Sequence, residues 1–402
     1  MPSARNEDSI INVFFMTSTY TPSTLPNTRV DAADILRGIA IGGIVMLHFI
    51  EHMNFYQFPE LTILDQVIWN SMFFLCGGKM YAIFSLLFGL SFFIQHDNQA
   101  QKGKDFRLRF AWRMLLLMCF GLFDLLFFNG DILTVYAACG LLILPLVRLS
   151  NRILAWIALF LALQPIEIFY LVWGIVDPTV RPLDLGSGGL FGAMTGPQSH
   201  GTVWEVAVAG IQYGFRINFY WAIENGRLTQ TLFLFLLGIL MGRKRFLYAE
   251  GNNAHHWVCT MVFSVFFLLV VLPVQQSLPG LVDNACIAHS LQVMLTMWRN
   301  AAMMLFIVCA VTWTTHCTVW GKRLIFIAPY GKMSLTNYLG QSIIGAFIFY
   351  GWGLGLYRVS GHTMSLLIGV GCVCLQYVFC RWWLNRHTRG PFEALWRRLT
   401  WL

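Results

Sequence analysis

Apolar residues run along this chain in blocks of about twenty, separated by short polar stretches that collect most of the charge. A membrane-crossing helix needs roughly 20 mostly apolar residues, with about 17 to 25 tolerated. The blocks predict ten such helices, at 32–53, 72–94, 110–128, 131–147, 153–176, 229–242, 256–275, 293–315, 333–352 and 364–384. The expected fold is therefore all-α: a polytopic bundle of about ten transmembrane helices in one domain over 31–402. Residues 1–30 are mixed and polar, and their one apolar piece, "IINVFF", is too short for a span or a signal peptide. A mobile N-terminal extension is expected there.

Two segments break the pattern. Residues 177–228 begin with a Pro/Gly-rich loop and continue as "VWEVAVAGIQYGFRINFYWAIENGR", where aromatics alternate with Glu205, Arg216 and Glu224. That mixture predicts an interfacial or re-entrant amphipathic helix on the outer side. The C-terminal "RWWLNRHTRGPFEALWRRLTW" interleaves tryptophan with arginine, as a membrane-surface anchor in the inner headgroup layer would.

Composition agrees with the blocks. The 402 residues are 57% hydrophobic and 11% charged, against about 25% charged in soluble chains. The net charge of +8 comes from clusters between apolar blocks, so it indicates topology and no nucleic-acid partner. With the N-terminus inside, 21 of the 27 lysines and arginines fall on the inner segments, which predicts both termini in the cytoplasm. The ten cysteines are scattered without paired CxxC motifs and are expected to be small buried hydrophobes.

The first block, "DILRGIAIGGIVMLHFIEH" (34–52), carries the candidate chemistry. Arg37 and His48 are eleven residues apart, three helical turns or roughly 16.5 Å along the axis, and lie on nearly one face. Glu51 and His52 continue that face at i+3 and i+4. Between them Gly38, Gly42 and Gly43 leave the helix bare enough for a ligand or another backbone to approach. A cation at the membrane centre costs at least about 2.5 to 3.5 kcal/mol, so such residues usually face a cavity or a partner. The stripe is expected to line a water-accessible passage. "HFIEH" also fits the H-x-x-E-H pattern of one zinc peptidase class, but that site needs a third ligand downstream, and no metal is expected.

Other polar groups are candidates for the same passage. Lys79 lies within an apolar stretch, in "CGGKMYAIFSLLFG"; Asp124 stands at mid-height in the third block; Asp131 opens the fourth. Asn337, Tyr338 and Gln341 form a polar flank in "SLTNYLGQS", where hydrogen bonding between helices is the simpler role.

Arginine, ten residues, then histidine in an N-terminal membrane helix resembles the motif of envelope-sugar acyltransferases of the lipopolysaccharide O-acetylase type. From about Arg29 onward the chain more specifically resembles the YeiB-like family (domain of unknown function 418). The resemblance rests on "LRGIAIGGIVML", "GKMYAIFSLLFG", "NGDILTVYAACG", "LFLFLLGILMGR", "GKMSLTNYLGQSII", "FYGWGLGLY" and "GPFEALWRRLTW". That family is grouped with transmembrane acyltransferases such as the lysosomal heparan glucosaminide N-acetyltransferase. The resemblance implies a multi-pass protein of the bacterial inner membrane that moves an acyl group from cytoplasmic acyl coenzyme A to a hydroxyl or amine acceptor at the outer face. Small molecules, lipids and glycans are all eligible acceptors.

On that reading Arg37, Gly38, Gly42 and Lys79 bind the coenzyme A thioester. His48, with Glu51 and His52, supplies the base or nucleophile. Arg216, Asp124, Asp131, Asn337, Tyr338 and Gln341 contact the acceptor. The same intramembrane charges also suit a proton-coupled transporter of small molecules or lipids, which would move its substrate unchanged.

Overall fold

The computed structural model describes Tyr20 and residues 25–27, 30–51, 60–249 and 253–402. Most of the N-terminal extension, and His52, lie outside the described residues. The described chain is helical: α1 (Asp31–Glu51), α2 (Ile63–Leu75), α3 (Lys79–Ala100), α4 (Arg107–Asp124), α5 (Leu133–Ile143), α6 (Asn151–Ala162), α7 (Pro165–Val176), α8 (Ser187–His200), α9 (Val203–Ala209) and α10 (Phe215–Glu224). It continues with α11 (Arg227–Arg243), α12 (Ala254–Ser277), α13 (Ala285–Cys317), α14 (Gly321–Leu324), α15 (Ala328–Lys332), α16 (Ser334–Phe349), α17 (His362–Leu384) and α18 (Pro391–Thr400).

Local sequence sets the breaks. Thr62 and Asp65 close a capping box at the start of α2, the Thr62 hydroxyl accepting from the Asp65 amide and the Asp65 carboxylate accepting from the Thr62 amide. Gly78, at φ 77°, supplies the left-handed turn that separates α2 from α3. Pro165 opens α7 behind Gln164, and the pair α6–α7 bends by 47° at that point.

Ten spanning helices are not what the chain builds. Among the described residues five helical segments are long and apolar enough to cross a bilayer: Asp31–Glu51, Ile63–Ala100, Ala254–Gly280, Ala285–Cys317 and His362–Leu384. The bent pair α6–α7 makes a sixth if it is one span. The others fall short for stated reasons. Helix α4 carries Arg107, Arg109 and Arg113 at its start, α5 stops at 11 residues, and α11 and α16 have only 17 and 16. Most apolar residues of α5, α11 and α16 are buried or half-buried by neighbouring helices, whereas α4 leaves Leu108, Trp112, Leu115, Leu122 and Phe123 exposed, and hydropathy alone does not distinguish burial in protein from lipid.

Helix α1 is central, packed against α3, α15, α16 and α17, with 72% of its apolar window buried; only 17% is buried in α12, whose apolar side chains face outward. Helices α3 and α11 run parallel with their backbones in close approach: a Cβ on Gly89 would strike the Phe235 carbonyl, and one on Gly238 the Leu86 carbonyl. Six cysteines are buried as expected, whereas Cys119, Cys259, Cys317 and Cys374 face outward, and all ten are free thiols.

Two irregular segments find definite places. The 177–228 region forms α8, α9 and α10, with a π-helical turn at Gly210–Gly214 joining the last two. Part of the N-terminal region is docked: the Tyr20 hydroxyl donates to Asp97 at 2.5 Å, and Asn27 donates to Asp97 at 2.8 Å.

Candidate active site

A cavity of about 740 Å³ opens at the end of the bundle that carries Arg37, within the range of about 300 to 1,000 Å³ usual for ligand sites. Arg37, Arg113, Lys332, Arg389 and Arg397 ring its mouth. Arg37 is held on two sides: it pairs with Asp34 at 2.9 Å, one turn before it, and donates to the Ser91 hydroxyl on α3 at 2.5 Å.

The C-terminal helix α18 forms part of the mouth, so the tryptophan–arginine segment does more than anchor at a membrane surface. Arg113 lies 4.1 Å from the Trp396 ring and Arg109 lies 4.3 Å from Trp401. Trp112 donates its indole N–H to the Leu399 carbonyl at 2.9 Å. Glu393 caps the start of α16, accepting from the amides of Leu335 at 2.7 Å and Thr336 at 3.0 Å. Burial pushes the Glu393 carboxyl above its ordinary value, opposed by the Thr336 hydrogen bonds. In the loop before α4, hydrogen bonds from Arg107 hold the Asp105 carboxyl down at about 2.

Below the mouth the lining is apolar: Phe84, Phe88 and Phe92 project from successive turns of α3, facing Phe110 and Leu117 of α4 and Ile44 of α1. The inner end is formed by Tyr136, Ile132 and Tyr338, and the Tyr338 hydroxyl accepts from the Ile132 amide at 3.0 Å. His48 stands behind this floor. Its ring centroid is 6.2 Å from that of Tyr338 and 4.8 Å from that of Phe128, and its Nδ1 is 2.9 Å from Nε2 of Gln341. The Gln341 oxygen is buried without a partner; the amide and the ring can pair in either sense, depending on tautomer.

The structure thus separates residues that the sequence placed along one passage. Arg37 lines the cavity; His48 does not, and the Tyr338 ring, which does, lies 6.2 Å from the imidazole. Gly38 and Gly42 face no ligand space, because Ile327, Tyr330 and Gly331 pack on that side of α1. Lys79 lies at the far end of α3 from the mouth, fully buried, donating to the Phe73 carbonyl at 3.0 Å. Glu51 ends α1, half-buried.

The acceptor candidates divide as well. Tyr338 and Gln341 meet at the floor, but Asn337 points elsewhere and donates to the Tyr330 carbonyl at 3.0 Å. Asp131 caps α5 through the amides of Leu133 at 2.9 Å and Thr134 at 2.8 Å. Asp124 is buried near Asp131 and the Ser342 hydroxyl, with no well-formed hydrogen bond to either carboxylate oxygen. Arg216 lies on α10, outside the cavity lining, donating to the Gln212 carbonyl at 3.2 Å. Sequence reasoning missed the phenylalanine wall, Ser91 and the arginines of the C-terminal region. The i, i+4, i+8 spacing of Phe84, Phe88 and Phe92 was the available signal.

Residues 241–402 match the model of a protein family of unknown function, DUF418, and residues 29–178 match the catalytic model of heparan-alpha-glucosaminide N-acetyltransferase. The chain is 24% identical to the uncharacterized protein YxaH of Bacillus subtilis, covering 94% of this chain and 96% of YxaH. It is also 24% identical to the uncharacterized protein YeiB of Escherichia coli, covering 91% of this chain and 95% of YeiB. The chain is similar to the YeiB-like proteins along almost its whole length. Within this chain the N-acetyltransferase match contains α1, α3, α4 and α5, the helices that build the cavity's apolar wall and hold Arg37 and His48. The DUF418 match contributes α16 and α18, hence the floor and one side of the mouth.

Proposed function

We propose that the protein is a membrane acyltransferase that takes an acyl group from acyl coenzyme A at the Arg37 end of the bundle. The carrying observation is the graded cavity, five cations at its mouth and a phenylalanine wall below them. Phosphates suit the mouth, and a thin pantetheine arm with its acyl chain suits the wall. The match to an N-acetyltransferase catalytic model over the cavity-forming helices supports the same reading. The basic end is the cytoplasmic end by the positive-inside rule, which leaves the acceptor, a hydroxyl or amine, to approach from the other side.

In this mechanism His48 is the general base. With Gln341 presenting its oxygen to Nδ1–H, Nε2 keeps its lone pair and takes the acceptor proton. The acceptor oxygen or nitrogen then attacks the thioester carbonyl carbon, the C–S bond breaks, and the departing thiolate receives the proton from the imidazolium. His48 does not itself line the cavity, and in this mechanism the Tyr338 ring of the cavity floor turns aside for the reactants to meet. Closed, that floor shields the thioester from water on the acceptor side.

The test is purified protein in lipid nanodiscs with radiolabelled acetyl coenzyme A and a bacterial lipid and glycan extract as acceptor pool. Label should move into the extract and coenzyme A should be released, with His48→Ala abolishing both. Equal label transfer by parent and His48→Ala would refute the mechanism, and absence of coenzyme A binding to the parent would refute the reading as a whole.

A further inference from the structure

Lys79 on α3, Arg227 on α11 and Arg299 on α13 lie at the end of the bundle opposite the cavity mouth, with α11 and α13 both packed against α3. Lys79 is wholly buried, with one hydrogen bond to a backbone carbonyl and the Phe74 ring 5.8 Å from its nitrogen. The Arg227 guanidinium lies 4.5 Å from the rings of both Tyr81 and Trp221. Arg299 donates to the neutral Gln275 amide at 2.9 Å. Among the described residues no carboxylate forms an ion pair with any of the three. The Nε atoms of Arg227 and Arg299 are buried with no acceptor.

The backbone adds to this excess of positive charge. Helix α3 begins at Lys79 behind Gly78, helix α11 begins at Arg227 behind Gly226, and neither start is capped by a side chain. Because the two helices run parallel, both positive dipole ends lie at the same end of the bundle. Gln230 ties the elements together, accepting from the Tyr81 hydroxyl and donating to the Met297 carbonyl at 2.8 Å. Three cations without a carboxylate partner among the described residues are strongly unfavourable inside a membrane bundle without an anion.

We propose that Lys79, Arg227 and Arg299 form a binding site for the phosphate group of a ligand at the end of the bundle opposite the acyl donor cavity. Two guanidinium forks and an ammonium offer more donors than a carboxylate's two oxygens can use, whereas a phosphate's oxygens can engage all three. Arg227 and Arg299 are half-buried, whereas Lys79 is fully buried. The source of the phosphate is either a lipid headgroup or the free ion.

The test measures thermal unfolding in a nonionic maltoside detergent with no added anion but chloride, then with phosphatidic acid, with dioleoylglycerol of the same chains, or with inorganic phosphate. Phosphatidic acid should raise the parent's midpoint by roughly 3 °C or more, and dioleoylglycerol should not. A rise with phosphatidic acid alone assigns the site to a lipid; an equal rise with inorganic phosphate assigns it to the free ion. Lys79→Met and Arg299→Gln should each lose the rise, while Arg152→Gln, a change of an exposed arginine elsewhere, should keep it. In the anion-free detergent Lys79→Met should be no less stable than the parent, since it removes a buried charge. Lys79→Arg keeps the charge and should keep the rise. No rise in the parent with either phosphate probe, or a rise undiminished in both Lys79→Met and Arg299→Gln, would overturn the proposal. Because Arg37→Ala alters only the cavity mouth and should keep the rise, this result stands or falls separately from the acyl donor reading.

Discussion

The two ends of this bundle each gather arginine and lysine, and they treat that charge in opposite ways. At the Arg37 end the cations surround an open cavity; Arg37 itself has a carboxylate at 2.9 Å, and Arg113 an aromatic face at 4.1 Å. At the Lys79 end one cation is fully buried and two are half-buried among neutral groups, with a backbone carbonyl, an amide and aromatic rings in place of counter-ions. From Ser91, which holds Arg37, to Lys79 is twelve residues of α3, roughly 18 Å at about 1.5 Å per residue. An intramembrane charge therefore has no fixed meaning: the first set borders a cavity open to a ligand, and the second is the one for which a bound anion is proposed.

The sharpest way to break this contrast is to remove the base while leaving both sets of cations intact. His48→Ala is expected to lower acyl transfer by about 10²- to 10⁴-fold while coenzyme A binding, read by equilibrium dialysis, stays within about twofold of the parent. If Lys79→Met instead produced the larger loss of transfer, the division of labour between the two ends would be wrong.

Next in size is Arg37→Ala. A charge-assisted hydrogen bond is worth about 1.5–3 kcal/mol, so the apparent affinity for acyl coenzyme A should weaken by about 10- to 100-fold. The loss should appear in KM more than in kcat, and it should shrink as salt screens the mouth. Lys79→Met should leave that KM alone. A smaller change is expected from Trp396→Ala, which removes the ring under Arg113. At about 0.5–2 kcal/mol for a cation–π contact, KM should rise by a few-fold up to about 30-fold with kcat unaltered. A purely anchoring role for α18 would leave KM untouched.

The contrast also shows what the sequence could carry. Helices expected at 32–53, 256–275 and 364–384 lie at Asp31–Glu51, Ala254–Ser277 and His362–Leu384, because long apolar runs state their own length. The surplus spans came from α4, α5, α11 and α16, the last three with most of their apolar side chains buried or half-buried by protein. Arg37 was legible as a mouth residue from its place near a helix end. The pairing of His48 with Gln341 was not, since it joins residues 293 positions apart and depends on how α16 crosses α1. Nor did spacing reveal that Gly38 serves the packing of Ile327 and Gly331, because small residues admit a backbone and a ligand equally well.

The smallest expected effect tests the exposed limit of the same contrast. Asp105 lies in the loop between α3 and α4, paired with Arg107 at 2.8 Å and Arg148 at 3.1 Å, all three exposed or nearly so. Its carboxyl is held at about 2 against an ordinary 3.8, the hydrogen bond from the Arg107 side chain being the first cause. A depressed folded value means the contribution to stability is present above the ordinary value and fades as pH falls from about 4 towards 2. Solvent screening limits an exposed pair to about 1 kcal/mol or less. Asp105→Asn should therefore lower the thermal midpoint at neutral pH by about 1–2 °C at most, and the difference from the parent should vanish towards pH 2. A larger loss, or one independent of pH, would mean that this loop carboxylate is coupled to the arginines of the mouth rather than to water.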